Sequence, residues 1–478
     1  MRWTLLQISK PMLAAIGSAL DPVARVAGVS IDSRTIRPGE LFFAIHGPRH
    51  DGHDHVAAAL GQGALGAVVA GSRARGFPEA LRGFCLVVDD TLLAFHQLAS
   101  AVRTAWGRKI AGVTGSVGKT TTKEILAALL GTKLRVLKSE GNFNNAYGLP
   151  LTLFRLEQSH EAAVLEMGMS RRYELKELAA IAKPDVGVVT RVAPAHLEFF
   201  ASVEEIAQAK RELIEGLDGR GSVAVLNADD PLVAAFAPHA PGRVLTYGIE
   251  KVADFRAEAI EDRGAVGSAF VLVENGKRVR LELALAGRHV ISNALAALAA
   301  ASVWGIGAAE AQGVFRDLHA PAMRGELLRF TNGAALINDS YNSSPAALHA
   351  MIKVLAATPE YRRRILAAGE MRELGHRSSE LHHEAGICAA KTGEIDWVIG
   401  VGGDAARIVD GAVAGGLPKA QTRFFPSAEE AAEFLSDMVI PGDLLLVKGS
   451  RGVKMERIVE ALLTRCAGGV ATAEKARH

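Results

Sequence analysis

Ile110-Ala111-Gly112-Val113-Thr114-Gly115-Ser116-Val117-Gly118-Lys119-Thr120-Thr121-Thr122 reads as an apolar strand, a glycine loop carrying Lys-Thr, and the start of a helix. That order gathers backbone N–H groups at a helix N-terminus, the arrangement that holds a polyphosphate. In such a loop Lys119 reaches the outer phosphates and the Thr120 hydroxyl holds Mg²⁺. The general consensus places glycine at position 113, where this chain has Val113. Its loop is therefore the shorter Thr-Gly-Ser-x-Gly-Lys-Thr form. Residues Thr114 to Thr121 predict a site for ATP or a close relative of it.

Working outward, the chain alternates strands and helical stretches from 108 to about 320. Ala162–Leu165 ends at Glu166, Val186–Val189 at Thr190, and Val223–Leu226 at Asn227. Apolar runs spaced by helices predict a parallel sheet covered on both faces, with ligand groups at the carboxyl ends of its strands. Upstream, Leu41–Ile45 and Ala67–Val69 are short apolar runs between glycine turns, and Thr91–Trp106 reads as a helix leading into the loop. After Pro321 the alternation restarts with Ala334–Ile337, Ile365–Ala368, Val398–Val401 and Leu444–Val447, as in a smaller doubly wound domain. The expectation is an α/β protein of three domains, 1–104, 105–321 and 322–478.

The 478 residues exceed what one core accommodates, and 49% hydrophobic with 22% charged residues is a globular composition. A formal charge of +2 and 5% aromatic residues give nucleic acid no basic surface to bind. Cys85, Cys388 and Cys466 lie far apart without a zinc spacing and read as reduced thiols of a cytosolic protein. Met12–Leu20, bounded by Lys10-Pro11 and Asp21-Pro22, reads as a first helix rather than a signal peptide. Val290–Ala309 carries no charge, yet its alanines, Asn293 and two glycines suit a buried helix better than a membrane span.

Individual residues carry alternatives. Glu166 at a strand end either faces bound phosphates and a hard cation or is solvated. His196, in Thr190-Arg191-Val192-Ala193-Pro194-Ala195-His196, serves as ligand, base or loop surface. Ser202 and Glu205 predict a capping box opening a helix to Leu217, whose apolar face is Val203, Ile206, Ala207, Leu213, Ile214 and Leu217. Lys210 sits in the middle of that face. An inward lysine requires pairing or modification, the alternative being a side chain that snorkels from the stripe edge. Polar turns at Asp32-Ser33-Arg34, Gly47–His53, Asp339–Pro345 and Lys448–Arg451 each read singly as loops. Gly402-Gly403 lacks the third glycine of a dinucleotide fingerprint.

Taken together these stretches resemble the Mur ligase family, ATP-dependent amide-forming enzymes of bacterial peptidoglycan precursor synthesis, from about Ile31 to Met455. The branch that adds a D-alanyl-D-alanine dipeptide is the one it looks like. The marks are Gly141–Asn145 with Gly148–Thr152, Asp339-Ser340-Tyr341-Asn342 with Pro345, Gly369–Gly375, and Val447–Arg451. The resemblance implies a small N-terminal uridine-binding α/β domain, a central phosphate-loop ATPase domain and a C-terminal Rossmann-like domain. It further implies a UDP-linked tripeptide and D-Ala-D-Ala as substrates, an acyl phosphate, and a cytoplasmic, monomeric enzyme that is not an integral membrane protein.

By the same resemblance Lys119, Glu166, His196, Lys210 and Arg324 are catalytic. Thr120, Glu166, His196 and Lys210, carbamylated by CO₂, hold two Mg²⁺. Asn293, Arg324, Asp339, Tyr341 and Asn342 join the loop around ATP. Ser33, Arg34, Gly47, Arg49, Asp51, Gly52 and His53 hold the UDP-sugar end. Asn144, Asn145 and Thr152 contact the peptide, and Lys448 and Arg451 face the dipeptide. Arg191, Ala193, Val290, Glu370 and His55 depart from the family pattern, Arg191 next to the proposed second metal. A folylpolyglutamate synthase lacks the uridine-binding domain that Asp32-Ser33-Arg34 and Asp51-Gly52-His53 imply. A plain phosphate-loop switch has no use for His196, Lys210 and Lys448 together.

Overall fold

Ala162–Glu166, Val186–Val189 and Val223–Asn227 are buried at every position, as strands must be when helices cover both faces. The computed structural model describes residues 3–47, 50–194 and 197–465, and within them three such sheets. The first, spanning Ala15 to Val88, has five strands, parallel except for the short edge strand Ala15–Ile16. The central sheet has nine strands, in the order Lys277–Leu283, Ser268–Glu274, Phe255–Asp262, Arg243–Gly248, Val223–Asn227, Val186–Val189, Ile110–Thr114, Ala162–Glu166, Val136–Lys138. The third has six, running Glu326–Arg329, Ala335–Asp339, Asp443–Lys448, Arg363–Gly369, Trp397–Val401, Thr422–Phe425, with only the first antiparallel.

The first two sheets share a core. One continuous cluster of buried side chains joins Leu41 and Phe43 of the first sheet to Leu165 and Leu213 of the central unit. The helix Thr91–Trp106 runs between them, and its Phe95 ring meets Phe43 at 5.1 Å and Phe154 at 5.2 Å. A division at 104/105 thus falls inside the last turn of this helix, which ends where Gly107 turns left-handed at φ 71°. The third sheet has its own cluster on each face, and the change to it lies between the helix Ala308–Asp317 and the strand from Glu326.

Three local expectations change. The first helix is Leu5–Met12 rather than Met12–Leu20. Thr4 and Gln7 cap each other across its first turn, Leu13 ends it at φ 52°, and Ala15–Ile16 pairs with Leu86 and Val87. The helix expected over Val290–Ala309 is Arg288–Ala301, broken at Gly305 (φ 73°) before Ala308–Asp317. Beyond Gly248 helices give way to an antiparallel extension of the central sheet over 255–283, whose last hairpin turns at Asn275 (φ 49°) and Gly276 (φ 75°). Asn-Gly supplies both positive-φ residues that a two-residue hairpin needs.

Arg103 anchors the joint between the first two units. Nearly buried, it donates to the carbonyls of Ala182 and Lys183 at the end of the helix Glu174–Ala182, and to Asp185 Oδ2 at 3.0 Å. Arg103→Met keeps the apolar stem and strands these acceptors. It is expected to lower unfolding free energy by about 2–4 kcal/mol, read from the urea midpoint, whereas an unchanged midpoint would contradict the anchoring.

Candidate active site

Register aligns the carboxyl ends of the central strands into one rim. Val113 pairs with Glu166 on one side and Val188 on the other, and Val189 pairs with both Thr114 and Leu226. Later strands are laid down on opposite sides of Ile110–Thr114, so the loop leaving it sits at the switch point where open α/β sheets take ligands. Gly118 (φ 88°) opens the helix Lys119–Leu130 with no side-chain cap, which leaves the first helical N–H groups to a ligand. A Cβ at Gly118 would run into Asn293 Oδ1 on the helix Arg288–Ala301.

Lys119 curls back so that Nζ donates to Gly115 O at 2.8 Å and lies 3.4 Å from Ser116 O. Burial pulls its pKa below the ordinary lysine range, the Glu166 charge opposing this and Arg324 adding to it. Glu166, 3% exposed, accepts from Thr120 Oγ1 (2.8 Å) on one oxygen and Asn144 Nδ2 (2.9 Å) on the other. Thr114 faces away from the cleft and donates to Met167 O at 2.8 Å.

Lys210 lies behind this wall on the helix Val203–Glu215, 2% exposed, so the inward reading holds and snorkelling does not. It has no hydrogen bond or ion pair to another described residue. Burial, and then the Lys119 charge, put its pKa far below the ordinary value. The capping box that opens this helix is half formed. Ser202 accepts from the Glu205 N–H, while the Glu205 carboxylate reaches past it to Ala201 N (2.9 Å).

In the third sheet Asp339 and Lys448 pair across adjacent strand ends. Lys448 Nζ, 3% exposed, donates to Asp339 Oδ2 at 2.7 Å and to Asn342 O at 2.8 Å. Two guanidinium groups approach the Tyr341 ring, Arg324 at 4.2 Å and Arg451 at 5.9 Å from its centre. All of these open on one cleft of about 1720 Å³, walled also by Ser116, Val117, Thr121, Asn144, Asn145 and Asn293.

Other candidates stand elsewhere. His196 and Arg49 lie outside the described residues. Thr152 is fully buried and donates to Gly148 O within its own helix. Asn145 caps the same helix, accepting from Tyr147 and Gly148 N–H, while still lining the cleft. Ser33, Arg34, Gly47, Asp51, Gly52 and His53 gather on loops after Gly28–Ser30 and Glu40–Phe43, away from the cleft. There Arg34 forks onto Asp32 and holds its carboxyl down at about 2. Both ring nitrogens of His53 are engaged within the fold, Nδ1 with Asp51 (2.6 Å) and Nε2 with the Ala70 N–H (2.9 Å). Gly52 is required, because a Cβ there would sit 2.7 Å from Ile45 N.

The sequence reading gives two residues of this region no role of their own. His289 lines the cleft near Asp339 and Lys448. Thr190 buries its hydroxyl against the phosphate loop. A polar residue ending an apolar strand is the signal that marked Glu166, and it marks Thr190 equally.

A phosphate loop at a sheet switch point, facing a second parallel sheet across one cleft, defines a three-domain phosphate-loop enzyme of α/β class. The sequence matches the Mur ligase family catalytic domain over residues 25–83, the Mur ligase middle domain over 113–301 and the Mur ligase glutamate ligase domain over 323–451. It is 35% identical to the UDP-N-acetylmuramoyl-tripeptide–D-alanyl-D-alanine ligase of Bacillus subtilis, covering 92% of this chain and 93% of that one. Crystal structures of MurF from Acinetobacter baumannii (TM-score 0.88, 27% identity, 97% and 99% covered) and of Thermotoga maritima MurF with ADP (0.80, 29%, 92% and 97%) share the fold. The chain belongs to the Mur ligase family.

Packing in the cleft wall holds the His289 pKa down at about 4, with Asp339 and Asp262 pulling it up and Lys448 pushing it down. The folded ring therefore stays neutral where an unfolded one, near 6.5, takes a proton. Stability from this group is full above pH 6.5 and falls as pH drops toward 4. Unfolding free energy measured across that window is expected to fall less in His289→Gln, and equal slopes would contradict the assignment.

Proposed function

We propose that this chain is an ATP-dependent ligase that joins D-alanyl-D-alanine to UDP-N-acetylmuramoyl-tripeptide, yielding the pentapeptide precursor, ADP and phosphate. One observation carries the reading. Strand ends of the central and third sheets and the helix start after the phosphate loop, with Arg324 on the segment between the sheets, supply Lys119, Thr120, Glu166, Asp339 and Lys448 to a single cleft. Relatives that bear this activity in their names match more than nine-tenths of the chain. In this reading 1–104 takes the UDP end, 105–321 the triphosphate, and 322–478 the ATP and dipeptide side.

The phosphate loop and Lys119 bind the β- and γ-phosphates, and Arg324 approaches from the opposite wall. The terminal carboxylate of the tripeptide attacks the γ-phosphorus in line, the bond to ADP breaks, and an acyl phosphate forms. The free amine of D-Ala-D-Ala adds to its carbonyl carbon, the tetrahedral intermediate loses phosphate, and the amine proton leaves to give the amide. Such chemistry depends on positioning and charge neutralisation rather than a covalent enzyme group. Exclusion of water until the amine arrives is the task of the opposed walls.

The donor set fits Mg²⁺. A hydroxyl and a carboxylate oxygen, Thr120 Oγ1 and Glu166 Oε2, stand 2.8 Å apart at the loop, hard ligands that leave the remaining positions to phosphate oxygens and water. Glu166 and Thr120 would hold one ion, and Glu166, His196 and Lys210 a second. Bound there, the metal supplies charge neutralisation at the transferring phosphoryl group. A free Lys210 ammonium opposes a cation, but its depressed pKa keeps a neutral amine available. That nitrogen adds to the carbon of CO₂ and releases a proton, and the resulting carbamate is an anion with hard oxygens. No described helix is long and apolar enough to cross a membrane. Burial raises the Cys85 thiol to about 11, as suits an inert, reduced cysteine in the cytoplasm. We place the enzyme there as a monomer.

ADP release coupled to an indicator reaction is expected only with UDP-tripeptide, D-Ala-D-Ala and ATP together. Release that ignores the dipeptide would contradict the reading. Lys210→Ala is expected to lose activity by about a hundredfold or more, roughly 2.7 kcal/mol of barrier, with partial recovery in acetate or another short carboxylate. Full activity without the additive would exclude the carbamate.

A further inference from the structure

The backbone of the phosphate loop is fixed by a side chain outside the loop, at the end of the neighbouring strand. Thr190, 3% exposed, follows the strand Val186–Val189 and places Oγ1 2.6 Å from Val117 O and 3.2 Å from Thr114 O. Its single proton goes to the nearer acceptor, Val117. A peptide unit is planar and trans, so its C=O and the following N–H point in opposite directions. Drawing Val117 O onto Thr190 turns the Gly118 N–H away from Thr190, and Gly118 lines the cleft. Gly115 makes the approach possible, because a Cβ there would overlap Thr190 Oγ1.

Thr190 is itself held at three points. Its N–H donates to Thr114 O at 2.9 Å. Its carbonyl accepts from Asn227 Nδ2 (2.9 Å) and from the Tyr247 hydroxyl (2.8 Å), which also lies 3.0 Å from Val189 O. Tyr247 has no exposed surface and does not line the cleft, so its hydroxyl acts on the Val189 and Thr190 carbonyls and not on a ligand.

We propose that Thr190, buttressed by Tyr247 and Asn227, is a positioning residue that orients the Val117–Gly118 peptide for polyphosphate. This rests on the reading that the loop binds ATP. The test is calorimetric titration of the purified full chain with ADP and magnesium chloride. Thr190→Val, close in shape but lacking the hydroxyl, is expected to weaken ADP binding at least fivefold, with Thr190→Ser restoring it to within threefold of the parent. KM for D-Ala-D-Ala in Thr190→Val should stay within twofold, since the dipeptide does not meet this peptide. Tyr247→Phe removes one of two donors to the Thr190 carbonyl and is expected to weaken ADP binding two- to fivefold. It carries the test alone if Thr190→Val does not fold. ADP affinity in Thr190→Val within fivefold of the parent, no rescue by serine, an equal rise in the dipeptide KM, or unchanged binding in Tyr247→Phe where it stands alone would overturn the proposal. A parent chain that binds no ADP would instead overturn the ATP reading itself.

Discussion

Positive charge confined at the rim of the central sheet governs this structure. Lys210 is buried without a counter-ion among the described residues, Lys119 folds onto loop carbonyls, and Arg324 faces them from the other wall. Among the described residues Glu166 is the anion that opposes the Lys119 charge, and Thr120 and Asn144 already claim its oxygens. An unpaired buried charge costs several kcal/mol, so a site built this way is completed by anions. Polyphosphate, an acyl phosphate and a carbamate are all anions of the required kind. Burial first, and neighbouring positive charge second, hold both lysine pKa values below the ordinary range.

The frame that holds these charges is asymmetric. The first sheet and the central sheet are fused through Phe43, Phe95 and Phe154 and through Arg103, and behave as one block of packing. The third sheet has a separate core on each face, one of which takes in Ala265, Ala286 and Leu197 from the block. Ala265 N donates to Thr358 Oγ1 at 2.9 Å on one side, and on the other the Glu198 N–H reaches Glu373 O at 3.3 Å. The cleft lies between a fused block and a separately packed unit, the geometry in which one wall closes on substrates bound to the other.

Much of this was legible because parallel strands buried on both faces must be apolar throughout, and a polar residue at the end of such a run has few uses apart from a ligand. Ala162–Glu166, Val186–Val189 and Val223–Asn227 all stand where that logic puts them, and the helix Thr91–Trp106 stands where the sequence places it. Lys210 was found by its place in an apolar stripe. The antiparallel extension was missed, although Asn275-Gly276 announces its hairpin, because half-exposed strands such as Lys277–Leu283 mix charges with short apolar runs. Residues quoted from polar loops divided in ways a linear pattern does not encode. His53 spends both nitrogens inside the first domain and Thr152 bonds its own helix, whereas Asn144 reaches Glu166. Tyr247 acts through contacts 57 and 58 residues away in sequence, which no local motif reveals.

The central claim is that Lys119 and Arg324 serve to transfer a phosphoryl group to a carboxylate, which an amine then captures. Tripeptide substrate labelled with ¹⁸O in its terminal carboxylate tests it most directly, with the released phosphate analysed by mass after turnover with ATP and dipeptide. One labelled oxygen in each phosphate is the predicted result, since the acyl–oxygen bond breaks when the amine attacks. Phosphate free of label would mean that water, not the peptide, received the phosphoryl group.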